Sequence, residues 1–347
     1  MIEIDGSQGE GGGQMLRTAL SLSCSTGKGF RIGNIRKNRD KPGLMRQHLV
    51  AVQAAARLAG AEVTGDQLGS VELAFKPGSV TAGNYNFDIG TAGSTPLVLQ
   101  TVIPPLLAAG ASSRLSLTGG THVPFSPSWH YLDGVFAPTL ARLGVHLHFA
   151  LEACGFYPKG GGRVRCRVEP CSSLAPLQAE QRGELLRVVG LSAVGNLPRG
   201  IAERQAHSAH SRLEEVLGSG VPIEIGIQEL SVFGQGTFIF LKCEYRHAVA
   251  GFTAIGERGK PAERVGEEAA RELLQHHGTG MPVDPHLADQ LVLYLAQARG
   301  ASVFATSRIT RHLETNLMVT SLFLDMVSRV DGDLDTPGTV LITPKSL

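Results

Sequence analysis

The sequence predicts a mixed α/β (α+β) fold of three repeated β/α units, with a smaller α/β domain inserted before the third unit. The first observation is an internal repeat: residues 57–63 resemble residues 142–147 at an offset of about 85 residues, and an amphipathic helical pattern precedes each segment. Residues 1–80 and 81–165 are therefore interpreted as two copies of one unit. Such repeats pack helices against sheets, and sites are expected where equivalent turns converge.

The second observation is a third copy of the pattern near the carboxyl end. It comprises a helix at residues 286–293, a strand at 301–306 and a helix at 312–324. The third observation is a change of pattern before this copy, with strand patterns at 185–194 and 238–245 and helical patterns at 201–217 and 262–276. We therefore predict a main domain of residues 1–181 and 279–347 and an inserted domain of residues 182–278.

Composition limits the class of protein. The chain has 347 residues and a formal net charge of +1, so any contact with nucleic acid is expected to be local. Five cysteines without a C-x-x-C pair indicate reduced thiols, neither a disulfide framework nor a zinc site. The longest apolar run, residues 97–111, is interrupted by Gln100 and two prolines and is too short to span a bilayer. We therefore expect a cytoplasmic protein that does not enter a membrane.

The predicted inserted domain carries five histidines, which are His207, His210, His247, His276 and His277. Their spacing offers no accompanying cysteine or carboxylate ligands, so we expect solvated surface histidines and not a metal site.

The amino-terminal turn, residues 9–14, is rich in glycine and lies between a strand pattern and a helical pattern. Glycines let backbone N–H groups approach a ligand, and a helix start favours an anion, so phosphate is expected here. Glu10 would repel a phosphate unless a divalent cation lay between them, and Gln14 can offer the same ion a carbonyl oxygen. The turn therefore predicts a metal–nucleotide site, with a tight turn that binds no ligand as the alternative. Its spacing matches neither a P-loop nor the dinucleotide fingerprint.

A basic loop follows the second predicted strand. Its six cations are Arg31, Arg36, Lys37, Arg39, Lys41 and Arg46. Arginine forks and lysine charges of such a loop can clamp phosphates, and a solvated basic loop is the alternative. Gln47 lies in the first turn of the next helix, where so basic a segment suggests a bound anion.

Two further loops belong to the second unit. Residues 90–94 repeat the glycine turn, and Gln100 follows on its helix. Residues 119–122 and 124–127 are interpreted as a loop that can form one wall of a base-binding pocket.

His312 begins the last predicted helix, and Thr315 and Asn316 follow one turn later. We expect these two side chains to orient the imidazole ring or to hold its other nitrogen. The imidazole can act as a general base, a metal ligand or a nucleophile, and attack on phosphorus would give a phosphoramidate. A purely structural histidine is the alternative.

Five motifs in the same order resemble those of the RNA 3′-terminal phosphate cyclase family, over a span from about Ile2 to beyond Asn316. They are Gly9–Gln14 with Arg17, Arg39–His48, Gly155–Gly162, Leu287–Leu291 and His312–Asn316. The resemblance implies a fold of three repeated β/α units, also seen in enolpyruvyl transferases, with a small α/β domain inserted before the third. This agrees with the repeats read from the sequence itself.

The resemblance also implies a reaction, the ATP-dependent conversion of an RNA 3′-phosphate to a 2′,3′-cyclic phosphate. By this likeness His312 attacks the α-phosphorus of ATP, releases pyrophosphate and becomes covalently bound to AMP. The RNA 3′-phosphate then takes the AMP, and the neighbouring 2′-hydroxyl closes the ring and expels AMP. Adenylation is chemically sensible because a terminal phosphate otherwise lacks a good leaving group.

Site residues carried over by the resemblance fall into three groups. Glu10 and Gln14, with Gln100 as a further residue, resemble contacts to a divalent metal, Mg²⁺ or Mn²⁺. Arg17, Arg36, Arg39 and Gln47 resemble contacts to the phosphates of ATP or RNA. Asp289 and Gln290 resemble residues around the adenosine and the metal, and Pro127 resembles a wall of the adenine pocket. His286 occupies the position where an aromatic ring that stacks on adenine is expected, and imidazole offers less stacking area.

Two other functions compete with this hypothesis. One is a non-catalytic, cyclase-like RNA-binding protein of ribosome assembly, which would lack the nucleophile. The other is an enolpyruvyl-type transferase, which would need neither ATP nor a nucleophilic histidine. The presence of His312 and Glu10 favours the enzyme. Near-neutral charge favours recognition of an RNA end over a long backbone.

Overall fold

The protein is described by a computed structural model, in which residues 1–345 are defined. Its first unit contains β1 (Ile2–Asp5), α1 (Gly13–Thr26), β2 (Phe30–Gly33), α2 (Arg46–Ala59), β3 (Glu62–Thr64) and β4 (Leu73–Lys76). The four strands form one sheet in the order β1-β2-β4-β3, in which β1 and β2 run parallel and the other pairs antiparallel. The strand, turn and helix predicted around the glycine-rich turn are confirmed.

The second unit repeats this arrangement. It contains β5 (Asn84–Asp88), α3 (Thr95–Leu107), β6 (Ser113–Gly119), α4 (Trp129–Tyr131), a π-helical turn (Leu132–Phe136), α5 (Ala137–Ala141), β7 (Leu147–Ala153) and β8 (Gly162–Val168). The sheet order is β5-β6-β8-β7, again with the first pair parallel. Gly60 and Gly144 lie in the two segments that the sequence repeat relates, and both have positive φ: Gly60 is the C-cap of α2, and Gly144 closes the turn that follows α5.

The third unit is interrupted. Its first strand, β9 (Gln178–Ala179), precedes a separate set of elements: β10 (Leu185–Gly195), α6 (Arg199–Leu217), β11 (Ile223–Leu230), β12 (Gly236–Tyr245), β13 (Val249–Ile255) and α7 (Ala262–Thr279). The unit then continues with α8 (Pro285–Leu295), β14 (Ser302–Thr306), α9 (Arg311–Phe323), β15 (Met326–Asp331) and β16 (Gly338–Pro344). Its sheet order, β9-β14-β16-β15, equals that of the other two units. The predicted fold class of three repeats is therefore confirmed.

The interrupting elements form a fourth sheet, in the order β11-β10-β12-β13, against which α6 and α7 pack. This sheet and its helices share a hydrophobic core of their own, whereas Phe238 and Phe240 of β12 join the larger core of the three units. The borders that we propose for an inserted domain, before residue 182 and after residue 278, stay a prediction.

The expected solvent exposure of the histidines in this region is wrong for His276. Its side chain is only 2% exposed because it lies on the buried face of α7, beside Phe252 and Tyr245. All five cysteines are free thiols. Within residues 1–345, no helix has both the length and the apolar character needed to cross a membrane.

The first long helix of each unit lies in the centre of the molecule. Helix α1 contacts α3 and α9, and α3 contacts α8. Most residues of α1, α3 and α8 are buried on all sides, as expected for helices that are surrounded by protein. Burying a polar side chain on these helices therefore costs free energy unless the side chain is hydrogen-bonded or meets a ligand.

Candidate active site

Several of the side chains on the central helices that are not buried are residues predicted for the site. Arg17 on α1, Gln100 on α3, and Asp289 and Gln290 on α8 are partly exposed, and all four lie in the second turn of their helices. Because the three helices occupy equivalent positions in the repeats, these side chains project near equivalent helix starts. The prediction that a site lies where equivalent turns converge agrees with this placement.

The glycine-rich turn shapes one wall of the site. Gly9 has a φ of +56°, and a Cβ atom there would lie 2.5 Å from the Thr315 hydroxyl. This close approach lets the Glu10 backbone N–H donate to Thr315 Oγ1 over 2.9 Å. At the helix start, no side chain caps the first turn of α1, so its N–H groups remain available to an anion.

His312 is the second residue of α9, and Gln14 of α1 holds its ring. The ring Nδ1 lies 2.5 Å from Gln14 Oε1, and Gln14 Nε2 donates to Asp289 Oδ2. With its amide oriented in this way, Gln14 offers a carbonyl oxygen to the ring, so Nδ1 must carry the proton. The lone pair is therefore left on Nε2, the tautomer that a nucleophile requires.

The expectation that Thr315 and Asn316 orient the ring is wrong. Thr315 receives the Glu10 N–H and bonds the Arg311 carbonyl over 2.6 Å. The Asn316 side chain accepts from Thr18 Oγ1 over 2.6 Å and donates to the Asp289 carbonyl over 2.8 Å. These residues point away from the ring and instead fix α1, α8 and α9 to one another.

Burial and positive charge set the protonation of the site. Desolvation lowers the pKa of His312 to about 4, and the charges of Arg17, His286 and Arg39 act in the same direction. The imidazole is therefore neutral at pH 7. Half of the His312 side chain (51%) is still accessible, so a substrate can reach it.

Two of its neighbours are also shifted. Burial raises the pKa of Asp289 to about 7, against the hydrogen bond from Gln14 and the charge of Arg17, which lower it. Burial lowers the pKa of Arg17 to about 10, so this guanidinium stays charged at neutral pH. The site thus combines a permanent cation, a neutral imidazole and a carboxyl group near its titration midpoint.

Glu10 has the properties of a hard oxygen ligand. Its carboxylate pairs with Arg39 and lies 3.8 Å from His312 Nδ1, and its Oε2 is buried without a hydrogen-bond partner among residues 1–345. A buried, unsatisfied carboxylate oxygen fits a Mg²⁺ or Mn²⁺ ion that shares substrate phosphates. The described residues contain no cluster of three or more His, Cys, Asp or Glu side chains suited to a metal, so the protein alone offers an incomplete site.

Other predicted residues take different places. The Arg36 guanidinium donates to the carbonyls of Lys41 (2.6 Å) and Gly43 (2.9 Å) and so shapes the basic loop. Gln47 Oε1 accepts from the Ser94 N–H over 3.1 Å and ties this loop to the second glycine turn. Arg39 is thus the predicted loop arginine that reaches the Glu10 carboxylate.

Four predicted site residues stay apart from the others: Gln100, Gln290, Pro127 and His286. Within residues 1–345, their side chains form no hydrogen bond or ion pair with another predicted site residue. Gln100 Nε2 and Gln290 Oε1 are nonetheless buried without partners, as is common for groups that meet a ligand. The exposed His286 ring lies edge-on to Tyr131, with 6.3 Å between ring centroids. Their proposed roles stay predictions.

Sequence reasoning assigned no role to His48. It is buried, its Nδ1 accepts from the Met45 N–H over 3.2 Å, and its Nε2 lies against Gly13 beside Arg17. Burial and the charges of Arg17 and Arg36 lower its pKa to about 3, so His48 is a neutral N–H donor aimed at the start of α1. Its place next to Gln47 in the basic motif was the available signal.

Comparisons with known proteins agree with these features. A model of the RNA 3′-terminal phosphate cyclase family matches residues 8–330. The chain is 48% identical to an RNA 3′-terminal phosphate cyclase of Methylococcus capsulatus over 350 residues, which cover 99% of this chain and 96% of that protein. Proteins of the same name are 46% identical in Archaeoglobus fulgidus (96% of this chain, 98% of that protein) and 44% identical in Methanopyrus kandleri (99% of each).

A solved structure also aligns along the chain. The enolpyruvyl transferase NikO of Streptomyces tendae covers 99% of this chain and 66% of its own, at 13% identity and a TM-score of 0.28. A similarity this low supports no argument about fold or function. The family model and the relatives suffice without it: the chain belongs to the RNA 3′-terminal phosphate cyclase family.

Proposed function

We propose that this protein converts an RNA 3′-phosphate end to a 2′,3′-cyclic phosphate at the expense of ATP, which yields AMP and pyrophosphate. Family membership supports the overall reaction. The observation that carries the chemistry is His312, whose Nδ1 is held by Gln14 beside Asp289 while no described residue bonds its Nε2. We further propose a cytoplasmic location, with which five free thiols agree.

The first step follows from this tautomer. The Nε2 lone pair attacks the α-phosphorus of ATP, an N–P bond forms, and the bond to the pyrophosphate oxygen breaks. The Nδ1 proton stays in its hydrogen bond to Gln14, which stabilises the positive charge that develops on the ring. The product is a covalent histidine–AMP.

The next two steps move the AMP to RNA and release it. An oxygen of the RNA 3′-phosphate displaces His312 from the adenylate, which restores the neutral imidazole. The ribose 2′-hydroxyl then attacks the activated 3′-phosphorus, loses its proton, and AMP leaves. Charge stabilisation at phosphorus is the main requirement of such transfers. Arg17, Arg39 and the Nε2–H of His48 supply donors at the start of α1.

A divalent cation fits beside Glu10, where it would neutralise phosphate charge. Glu10 Oε2, with Gln14 as a second candidate ligand, would hold it, because hard oxygen donors suit Mg²⁺ and Mn²⁺. We assign the adenosine to the start of α8, where Asp289, Gln290 and His286 lie, and propose Pro127 as a wall of its pocket.

The reaction is tested with a 5′-labelled RNA that ends in a 3′-phosphate, incubated with ATP and Mg²⁺ or Mn²⁺. Wild-type protein should make the end resistant to phosphatase, and the cyclic product should separate from the substrate on a gel. The His312→Ala variant should leave the end sensitive, whereas His207→Ala, which changes an exposed histidine on α6, should react normally. An RNA end that stays phosphatase-sensitive with wild-type protein under both metals would contradict the proposal and favour a non-catalytic RNA-binding relative.

A further inference from the structure

Three aromatic side chains stand out because they are exposed. Within residues 1–345, Phe125 is fully exposed, Phe233 is 73% exposed and Tyr157 is 70% exposed, and the other large exposed apolar residues are aliphatic. These three residues, here called the aromatic patch, lie in three different loops, after β6, between β7 and β8, and between β11 and β12. Exposed aromatic rings of this kind are uncommon on a surface that binds nothing.

The three loops meet in space. His122, at the start of the first loop, pairs with Phe156, and Phe156 pairs with Gly160 across the second loop. Gly161 lies against the Phe233 side chain, and Lys159 Nζ lies 5.6 Å from the centre of the Phe233 ring. The loops that carry Tyr157 and Phe233 are therefore in direct contact, with a cation beside the Phe233 ring, and the loop that carries Phe125 adjoins them through His122.

The backbone beneath the patch is held firmly. Asn196 Nδ2 donates to the carbonyls of Val232 (2.8 Å) and Gly234 (2.7 Å), on either side of Phe233. The buried Phe156 ring fills the space beside Gly236. The Phe233 ring is thus presented to solvent by an anchored loop, an arrangement that lowers the entropy cost of binding.

A chain of contacts joins the patch to the catalytic centre. Gly160 lies against Thr91 and Ala92 of the second glycine turn, and Gly90 of that turn lies against the exposed Arg46. Arg46 begins α2, on which Gln47 bonds Ser94 and His48 faces Gly13. The surface from the phosphate donors to the aromatic rings therefore carries a cation at each end, Arg46 and Lys159.

We propose that the aromatic patch binds unpaired nucleotides of single-stranded RNA on the 5′ side of the terminal phosphate. Rings of this type stack on bases of any identity, and neighbouring cations pair with the backbone phosphates. This inference rests on the proposed function, which places the 3′-phosphate at His312. It adds a binding surface that extends recognition beyond the end group and predicts little preference for base sequence.

The test compares the affinities of two variants for a short and a long RNA. The first replaces two rings, Tyr157→Leu with Phe233→Leu, which keeps apolar bulk and removes their aromatic faces; Phe125 is left unchanged because its loop also carries Pro127 of the predicted adenine pocket. The second, Tyr157→Phe with Phe233→Tyr, keeps the aromatic faces. The probes are fluorescent, 3′-phosphorylated RNAs, one a dinucleotide and one single strand of about 12 nucleotides, a length that exceeds the patch. Binding is measured by anisotropy without ATP.

We expect the leucine variant to bind the longer RNA at least about fivefold more weakly, since base–aromatic stacks contribute about that factor or more each. Its affinity for the dinucleotide and its formation of histidine–AMP from ATP should not change, and the aromatic variant should behave as wild type. Equal loss for both RNAs, or no loss for the longer one, would overturn the inference. So would an altered sedimentation coefficient of the RNA-free leucine variant, which would identify a protein–protein surface.

The outcomes separate this inference from the proposed function. If the wild type cyclises RNA normally and the leucine variant binds RNA as tightly as the wild type, only the inference about the aromatic patch is rejected. If the wild type forms neither histidine–AMP nor cyclic product, the proposed function is rejected. The anisotropy measurements then still show whether the aromatic patch binds RNA.

Discussion

At the scale of single residues, the proposed chemistry depends on Gln14, which contacts the ring of His312. Gln14 bonds the ring through one amide atom and Asp289 through the other, so a single rotamer sets the tautomer of the proposed nucleophile. An amide suits this bridge because it offers one acceptor and one donor. A carboxylate or an aliphatic side chain would offer only one of these functions or neither.

Gln14→Leu should slow the formation of histidine–AMP by about 100-fold, because a nucleophile out of alignment loses much of its advantage. Gln8→Leu is the matched control, since Gln8 precedes the same turn and is exposed. The rate of label transfer from ATP is measured over a range of metal concentrations. If high Mg²⁺ restored the adenylation rate of Gln14→Leu, Gln14 would act mainly as a metal ligand and not by holding the His312 ring.

The pH dependence of adenylation should reflect the lowered pKa of His312. Only the neutral imidazole has a lone pair on Nε2, and its pKa is about 4 in place of the usual 6.5. The rate should therefore stay high as the pH falls through 6.5 and should decline only as pH 4 is approached. A rate that halves near pH 6.5, while circular dichroism shows a folded protein, would disagree with this environment.

At the scale of elements, hydrogen bonds between polar side chains and backbone hold α1, α8 and α9 against one another. These bonds fix the relative positions of the candidate site residues on the three helices. Asn316 on α9 accepts from Thr18 on α1 and donates to the backbone of α8. The bond between Thr18 and Asn316 joins positions 298 residues apart in the chain, and Asn316 also binds the backbone of Asp289, whose side chain contacts Gln14. A shift of these helices would therefore move His312 relative to Gln14 and Asp289.

Thr18→Val should lower the free energy of unfolding by about 1–3 kcal/mol, because it leaves the buried Oδ1 of Asn316 without its donor. Thr101→Val is the control: Thr101 is equally buried on α3, but its hydroxyl bonds a carbonyl of its own helix, so less is lost. Denaturant titrations of both variants measure the difference. Equal losses would show that the contact between α1 and α9 contributes little.

At the scale of the whole molecule, much of the architecture could be predicted from the sequence. Periodicity predicted the helices of all three units, and glycines at equivalent helix ends revealed the repeat. Strand β9 was missed because two residues carry no alternation, and its partner β14 lies beyond the inserted elements. Strand β11 does alternate, with Ile223, Ile225 and Ile227 on one face, so its pattern is sufficient to predict a strand.

The site was only partly predictable. Residue types and local turns pointed to Glu10, Gln14 and His312, since each lies in a recognisable strand–turn–helix or helix start. The partner of each side chain was not predictable, because it depends on how helices distant in sequence pack together. For this reason the ring was expected to bond Thr315 or Asn316, whereas Gln14 holds it.

Stability of the whole molecule should fall in mild acid. Burial lowers the pKa of His48 and of His276 to about 3, below the value near 6.5 of an unfolded chain. The unfolded state then binds more protons between these values, so the free energy of unfolding decreases as the pH falls below 6.5. Each such histidine adds a slope of about 1.4 kcal/mol per pH unit.

His276→Leu should remove one such proton and flatten the dependence, while His247→Leu, on the surface of the same region, serves as its control. At pH 7 the His276→Leu variant should retain its stability, because neither ring nitrogen bonds a described residue. Urea titrations between pH 4 and 7 measure the slopes. Equal slopes for both variants would place the proton uptake elsewhere.

The central claim, a nucleophilic His312, is tested most directly by ATP labelled at the α-phosphate. Wild-type protein with Mg²⁺ or Mn²⁺ should retain the label after denaturation and in alkali and should release it in acid, as a phosphoramidate does. His312→Ala should carry no label. Absence of label on wild type with both metals, or label that persists on His312→Ala, would contradict the account.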